Sequence, residues 1–445
     1  MEASIRSINK IYNVLIVGGG PVGISAALHL AKTGISDIAV VERDNSYTHC
    51  SAMLSAGGIR QQFSVPENIK MSIYGASFIK NVSALSVDGI SPDINFKENG
   101  YLFIAGEKSR HVIDENHTQQ LACGADWIKK LNKNDLKSKF PWLHNFDIEI
   151  GTYGIQNEGF FDPWLFVQAM KQKAKSLGIE FISGSIDGAK ITPITPGSFS
   201  YNISSMNVAL SKKDDNKWNT SNVRLSAQHY VNAAGAWSGR LVDDIISSAS
   251  HTSRFMRVPV RPKKRCIFNV QCPETLGHGG ESLVPPLTSP LLVDPSGVYF
   301  RPEGNIKGRF LAGVSPPADN DPDCSTSSFL DLEVVDHDLF ESIIWPKLCH
   351  RVPAFERLKV VSSWAGFYDY NTLDQNAIIG THSEIRNLLL CTGFSGHGLQ
   401  QSPAAGRAVA ELVQNNLKGF STLDLSRFSF ERVVDNKPIF ETGIV

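Results

Sequence analysis

Apolar positions first gather in VLIV (14–17), a continuous run suited to a strand covered on both faces, as in a parallel sheet. Glycines occupy 18–20, and Pro21 then falls where the first turn of a helix tolerates a missing N–H. Ile24, Ala27, Leu28, Leu30 and Ala31 supply one buried helical face, Gly34 stops the helix, and IAVVE (38–42) gives a second strand. Strand, helix and strand in this order predict a right-handed βαβ unit.

The succession of strand, small-residue turn and helix returns in HYVNAAGAWSGRLVDDI (229–245) and in LLLCTGFSGHGLQQSPAAGRAVAELVQNN (388–416). Between these lie GYLFIA (100–105), KKRCIFNVQ (263–271) and GVYFRPEG (297–304), which read as antiparallel strands separated by turns. The polar stretch SKKDDNKWNTSN (211–222) reads as a solvated hairpin or loop. No internal repeat is visible. At 445 residues the chain exceeds one simple core. The expected fold is α/β (α+β): a discontinuous Rossmann-type nucleotide domain from 12–90, 156–250 and 362–445, with an interleaved antiparallel-sheet domain from 91–155 and 251–361.

Charge narrows the function by exclusion. The 43 basic and 44 acidic residues nearly cancel, and no long run of one sign stands out, so a nucleic-acid surface is not expected. Seven cysteines form no CxxC pair and leave an odd thiol, which argues against a disulfide framework or a structural metal. No window of about 18 apolar residues suggests a membrane span. The leader MEASIRSINKI carries Arg6 and Lys10 but also Glu2, and is short for a transit peptide.

The chemistry begins at Gly18-x-Gly20-x-x-Gly23. Gly18 permits a tight turn, Gly20 lets a pyrophosphate approach the backbone, and Gly23 lets helix and strand pack closely. The helix start offers free N–H groups to the anion. Glu42, at the end of the second strand, is placed to accept ribose hydroxyls and disfavours a 2′-phosphate. A dinucleotide follows, FAD or NAD.

GGGPVG (18–23), VVERD (40–44), SAGGIRQQF (55–63), EGFFDPW (158–164), NAAGAWS (232–238) and GFSGHGLQQSPAAG (393–406) together resemble the D-amino-acid oxidase superfamily, in the branch holding sarcosine and dimethylglycine dehydrogenases. The resemblance implies FAD. Its cofactor residues would be Gly18, Gly19, Gly20, Pro21, Val22 and Gly23, then Glu42, Arg43, Ser55, Ala56, Gly57, Gly58 and Ile186. Ala234, Gly235, Trp237, Gly393, Phe394, Gly396, His397, Gly398, Leu399 and Gln400 would complete the set. Relatives that attach flavin covalently use a histidine or cysteine where this chain has Leu54 and Phe367, so non-covalent FAD is expected. Lysines placed beside the flavin in sarcosine oxidases align with the strand Gly297-Val298-Tyr299 and with Gln400, which favours a dehydrogenase over an efficient oxidase.

Substrate contacts are less defined. Arg60, Lys264 and Arg301 are candidates for binding a carboxylate, and Tyr299, Tyr368 and Tyr370 for an aromatic wall against an amine; each has a structural alternative. No catalytic base is nominated. SAGGIRQQFSVPENIKMSIYGASFIKN (55–81) and WAGFYDYNTLDQNAIIG (364–380) further resemble a mitochondrial branch that assists assembly of respiratory complex I. That resemblance implies a matrix location, peripheral association with the inner membrane, and complex I subunits or assembly intermediates as partners. The short leader leaves a cytoplasmic amine or amino-acid oxidase as the alternative, and an FAD-filled scaffold with vestigial catalysis as another.

Overall fold

In the computed structural model, β1 (Ile11–Val17), α1 (Pro21–Lys32) and β2 (Ile38–Glu42) form the expected unit. The model describes residues 10–214, 217–247, 255–277, 279–316, 321 and 328–443. Leader residues 1–9 and Cys324 lie outside the described residues. Val14, Leu15 and Ile16 are fully buried, as a strand covered on both faces requires.

β1 pairs in parallel with β2 on one side and with strand Lys217–Asn232 on the other. That strand pairs in parallel with Leu388–Thr392. The register sets Val17 beside Asn232 and Val41, and Asn232 beside Leu390. Three glycine turns far apart in sequence thus leave the same edge of one sheet, the carboxyl edge where open α/β sheets take ligands. The stretch 211–222 belongs to a long hairpin, with Lys217 opposite Asp214.

Among the described residues the sheet has seven strands, completed by Glu180–Pro193, Tyr201–Asp214 and Ile378–Thr381. Helix Gly398–Gln414 crosses α1 where Gly406 meets Ser25; a Cβ at 406 would come within 2.3 Å of Ser25 Oγ. This is why the second helix is rich in small residues at the crossing. α2 (Pro66–Lys80) packs on the same helix through Gly75, whose Cβ position lies 2.2 Å from the Gln400 carbonyl oxygen.

Among the described residues the second sheet has eight strands, in the order Lys359–Asn371, Val260–Gln271, Arg309–Val314, Val298–Pro302, Leu291–Val293, Tyr101–Ala105, Ile150–Gly154 and Ile128–Asn132. Its neighbours are antiparallel except Leu291–Val293 against Tyr101–Ala105. Phe268, Phe300, Phe310 and Phe355 form its buried centre. Strand Lys359–Asn371 lies wholly in this sheet, so the chain returns to the first sheet at Ile378 rather than near 362. The strand spans that boundary because its antiparallel pairing with Val260–Gln271, with one bulge near Val361, runs from Lys359 to Asn371. Among the described residues, no helix is long and apolar enough to cross a membrane.

Candidate active site

A cavity of about 410 Å³ runs along the carboxyl edge of the first sheet. Glu42 and Ile186 stand at one end, Gly18, Gly20 and Gly235 along the middle, and Gly396, Leu399 and Tyr368 at the other. Gly18 has φ +106° and donates its N–H to Val41 O at 2.9 Å. A Cβ there would lie 2.2 Å from Ala233 O, so the first and second turns lock backbone to backbone. Gly23 closes the turn from the other side, its Cβ position 1.9 Å from Gly18 O.

Glu42 accepts from Gly19 N at 2.7 Å through Oε2 and from Asp44 N at 2.8 Å through Oε1. Each carboxylate oxygen keeps a further lone pair for a hydroxyl. Arg43 lies over Trp237, 3.8 Å from the ring centroid, and over Phe329, whose ring centroid is 5.4 Å from that of Trp237, so the two rings form a corner against the cation.

α1, after Gly20, and helix Gly398–Gln414, after His397, both begin at this cavity, and neither has a side-chain cap. Their first-turn N–H groups are therefore left for an anion or a partly negative ring edge. Gly20 and Gly235 keep the middle of the cavity open: a Cβ at 20 would meet only Cys50 Sγ, at 3.9 Å, and one at 235 would meet nothing within 4 Å.

A second cavity, about 510 Å³, adjoins the first at Tyr368. Arg265, Tyr370, Asp321, His397 and Phe440 are among its walls. Arg265 holds Asp321 with two hydrogen bonds of 2.8 Å and lies over the Tyr368 ring. His397 faces this cavity and accepts at Nε2 from Arg60 Nη2, 3.0 Å away. Burial, then the Arg60 charge, lowers the His397 pKa to about 3, so the imidazole is neutral. Arg60 lies over the rings of Phe63 and Phe103. Burial raises the pKa of Tyr101, Tyr299 and Tyr368, so all three phenols stay protonated.

The SAGG segment divides. Ser55 lines the first cavity, whereas Ala56 O accepts from Arg301 Nε at 2.6 Å. Gly57 and Gly58 leave room for Phe161 O and the Tyr101 hydroxyl, respectively. Arg301 is further bound through Nη1 to Pro302 O and Glu303, so it ties this loop to the second sheet. Gly393 packs against Val260 and Asn371, and Gln400 accepts from Arg60 N at 2.8 Å.

Lys264 lines neither cavity. Strand alternation explains the correction: Lys264 sits opposite Phe367, on the face of Cys266 and the second core. Lys263, opposite Tyr368, and Arg265 present the other face to Tyr370 and Tyr368. The choice of Tyr368 and Tyr370 already carried this parity, which would have selected Arg265.

Sequence reasoning also passed over two carboxyls of raised pKa, the half-buried Asp369 and the fully buried Glu158. Asp369 accepts from Phe394 N at 2.9 Å, lines the first cavity, and is raised by burial to about 6. Glu158 accepts from Gln61 N and Gln62 Nε2, each at 2.7 Å, and is raised by burial to about 7. Glu158 stands in EGFFDPW, a segment whose acid carried no local pattern that would mark it as buried.

Two separate βα turns on adjacent parallel strands, an acid at the second strand end and an aromatic chamber against the sheet define a flavin-binding oxidoreductase fold. The family model described as FAD dependent oxidoreductase matches residues 13–412, and the chain belongs to that family. It is similar to FAD-dependent oxidoreductase domain-containing protein 1 of Xenopus laevis, with 43% identity over 97% of this chain and 85% of that protein. The Bos taurus protein of the same name is 39% identical over 94% of this chain and 84% of its own length. Among solved structures, L-proline dehydrogenase from P. horikoshii superposes with TM-score 0.75 at 21% identity, over 97% of this chain and 100% of that one.

The protein is thus an FAD-dependent oxidoreductase, and its residues fit the cofactor. Glu42 and Ile186 would flank the adenosine, the uncapped start of α1 the pyrophosphate, and the start of helix Gly398–Gln414 the ring.

Proposed function

We propose that the protein is a dehydrogenase acting on a C–N bond of a secondary or N-methylated amine or amino acid. One observation carries this reading: Tyr368 lines both cavities, so a small molecule in the second meets the redox end of the first. FAD, when bound, supplies the acceptor for a hydride from the carbon bearing nitrogen.

The chain's own groups orient the substrate. Arg265 lines the second cavity and Arg60 stands behind its wall on His397, which together lend positive charge for a carboxylate, while the protonated Tyr368 and its neighbour Tyr370 form the aromatic wall. Positioning of this kind supplies much of the barrier reduction for such a reaction. Leu54 and Phe367 offer no nucleophilic atom for attachment, which supports non-covalent FAD. Anaerobic mixing with sarcosine, dimethylglycine and L-proline, followed at the flavin band near 450 nm, tests the reading. Bleaching by one of them is expected; a flavin that stays oxidised with all secondary and N-methylated amines tried would refute it. Rapid hydrogen peroxide release in air would instead favour an oxidase.

We further propose that the protein acts in the mitochondrial matrix at the inner membrane, on complex I subunits or assembly intermediates. The support is the resemblance carried by residues 55–81 and 364–380. Removing the protein from mitochondria should lower assembled complex I, and restoration by a variant that binds no FAD would favour the scaffold over the dehydrogenase. Unchanged complex I would end the assembly proposal.

A further inference from the structure

The segment 437–443 lies far from the flavin turns in sequence, yet Phe440 and Glu441 line the second cavity. Its attachment is unusually dense for a stretch without regular structure. Glu441 accepts at Oε2 from Ser64 N at 2.6 Å and at Oε1 from Asn68 Nδ2 at 2.6 Å, and it also takes Val65 N. These groups open α2, whose N-cap is Val65 and has no side-chain cap of its own. The carboxylate therefore caps α2 from a distance, where negative charge is favoured.

The residues on either side of Phe440 are fixed independently. Ile439 N donates to Asp374 Oδ2 at 3.0 Å, and Ile439 O accepts from Asn376 Nδ2 at 2.6 Å. Asp374 is itself buried and gripped by Arg432 at 2.8 and 3.1 Å. Beyond Glu441, Thr442 N donates to Ser64 Oγ at 2.8 Å and Thr442 O accepts from Asn116 Nδ2 at 2.7 Å. Between these clamps Phe440 is 63% exposed. Single exposed apolar residues are common and need no explanation. Here the neighbouring backbone is held on both sides and the ring stands on the wall of a cavity that also contains Tyr370 and His397.

We propose that Phe440 is a specificity-determining residue of the substrate chamber, held in place by Glu441 acting as a latch on α2. The proposal rests on the dehydrogenase reading above for the identity of the substrate. An aromatic ring at this place covers apolar substituents of a cyclic or N-substituted amino acid and gives little to a compact one. Glu441 is a positioning residue: it touches the start of α2 and sets where the ring sits.

The test uses the full-length FAD-bound protein and the variants Phe440→Ala, Glu441→Ala and Glu441→Gln. Acrylamide quenching of flavin fluorescence reads how well the chamber is covered, with no turnover required. Steady-state kcat/KM for L-proline and for sarcosine reads specificity. Phe440→Ala and Glu441→Ala should each raise the quenching constant about threefold and shrink the preference for L-proline over sarcosine about tenfold. Glu441→Gln, which keeps one carbonyl oxygen at α2 but sets an amide against the other donors, should fall between the parent and Glu441→Ala in both. Unchanged quenching and preference in Phe440→Ala and Glu441→Ala, at full FAD content, would overturn the proposal. If neither amine reduces the flavin in any variant, the specificity claim falls with the dehydrogenase reading, and quenching alone decides whether the ring covers the chamber.

Discussion

Arg60 Nη2 and His397 Nε2 lie 3.0 Å apart and join the loop after the Gly57–Gly58 pair to the turn that opens helix Gly398–Gln414. Arginine can only donate, so the imidazole presents its lone pair at Nε2 and carries its proton on Nδ1. With a pKa of about 3, His397 has no titration in the working range of an enzyme. His397→Asn should therefore lower kcat/KM about tenfold or more by loosening Arg60. It should leave the positions of the inflections in the pH–rate profile between about pH 5 and 9 unchanged. An inflection near neutrality that disappears in the variant would contradict this assignment.

Gly18 and Gly235 both have positive φ but differ in surroundings. Gly18→Ala must displace the Ala233 carbonyl, so loss of soluble folded protein or of bound flavin is expected. Gly235→Ala meets no protein atom within 4 Å and carries a backbone penalty of about 1–2 kcal/mol. It should fold with a modestly lower melting temperature while binding FAD more weakly, because its new methyl enters the cavity. Flavin-to-protein absorbance ratios and thermal melts of the two variants check the contrast, and equal flavin content would refute it.

Glu42 holds two backbone N–H groups and faces the adenosine end of the cavity. Glu42→Gln keeps one acceptor oxygen and places an amide against the other donor. A loss of about 1.5–3 kcal/mol is expected, or a Kd for FAD raised about 10- to 100-fold. Fluorescence titration of the apoprotein with FAD measures it, and an unchanged Kd would remove Glu42 from the site.

Glu158 has a folded pKa of about 7 against an ordinary 4.5, through burial. Between those values the folded chain holds more proton than the unfolded one, so stability falls as pH rises through the window, by a few kcal/mol. Glu158→Gln removes the titrating group, so its melting temperature should vary less between those pH values than that of the parent. Parallel melting curves for the two proteins across this range would rule the account out.

The buried pair Arg432–Asp374 supports both the second cavity and the 437–443 segment. Arg432→Met leaves Asp374 without its cation and should destabilise the protein by about 3–5 kcal/mol. Chemical denaturation of parent and variant checks this, and a difference below about 1 kcal/mol would mean that the carboxyl finds other partners.

The first βα turn was legible because each of its requirements is local. A strand of buried apolar residues, glycine where φ is positive or backbone must touch backbone, proline in the first helical turn and an acid one strand later are all set by near-neighbour sterics. The return of that pattern at 232–238 and 393–398 was legible for the same reason, and so was the two-sheet organisation in outline. The chamber was not. Arg265, Asp321 and Phe440 lie in segments whose local patterns do not encode their place on one cavity wall, and Lys264 was chosen where Arg265 faces the cavity. Side chains of one strand alternate between two faces, and which face meets the cofactor is decided only when the second sheet is laid against the first. The amino-acid sequence thus determined a flavin-type nucleotide fold through short-range backbone geometry. The substrate side was decided by long-range packing, which brings residues hundreds of positions apart within hydrogen-bond reach.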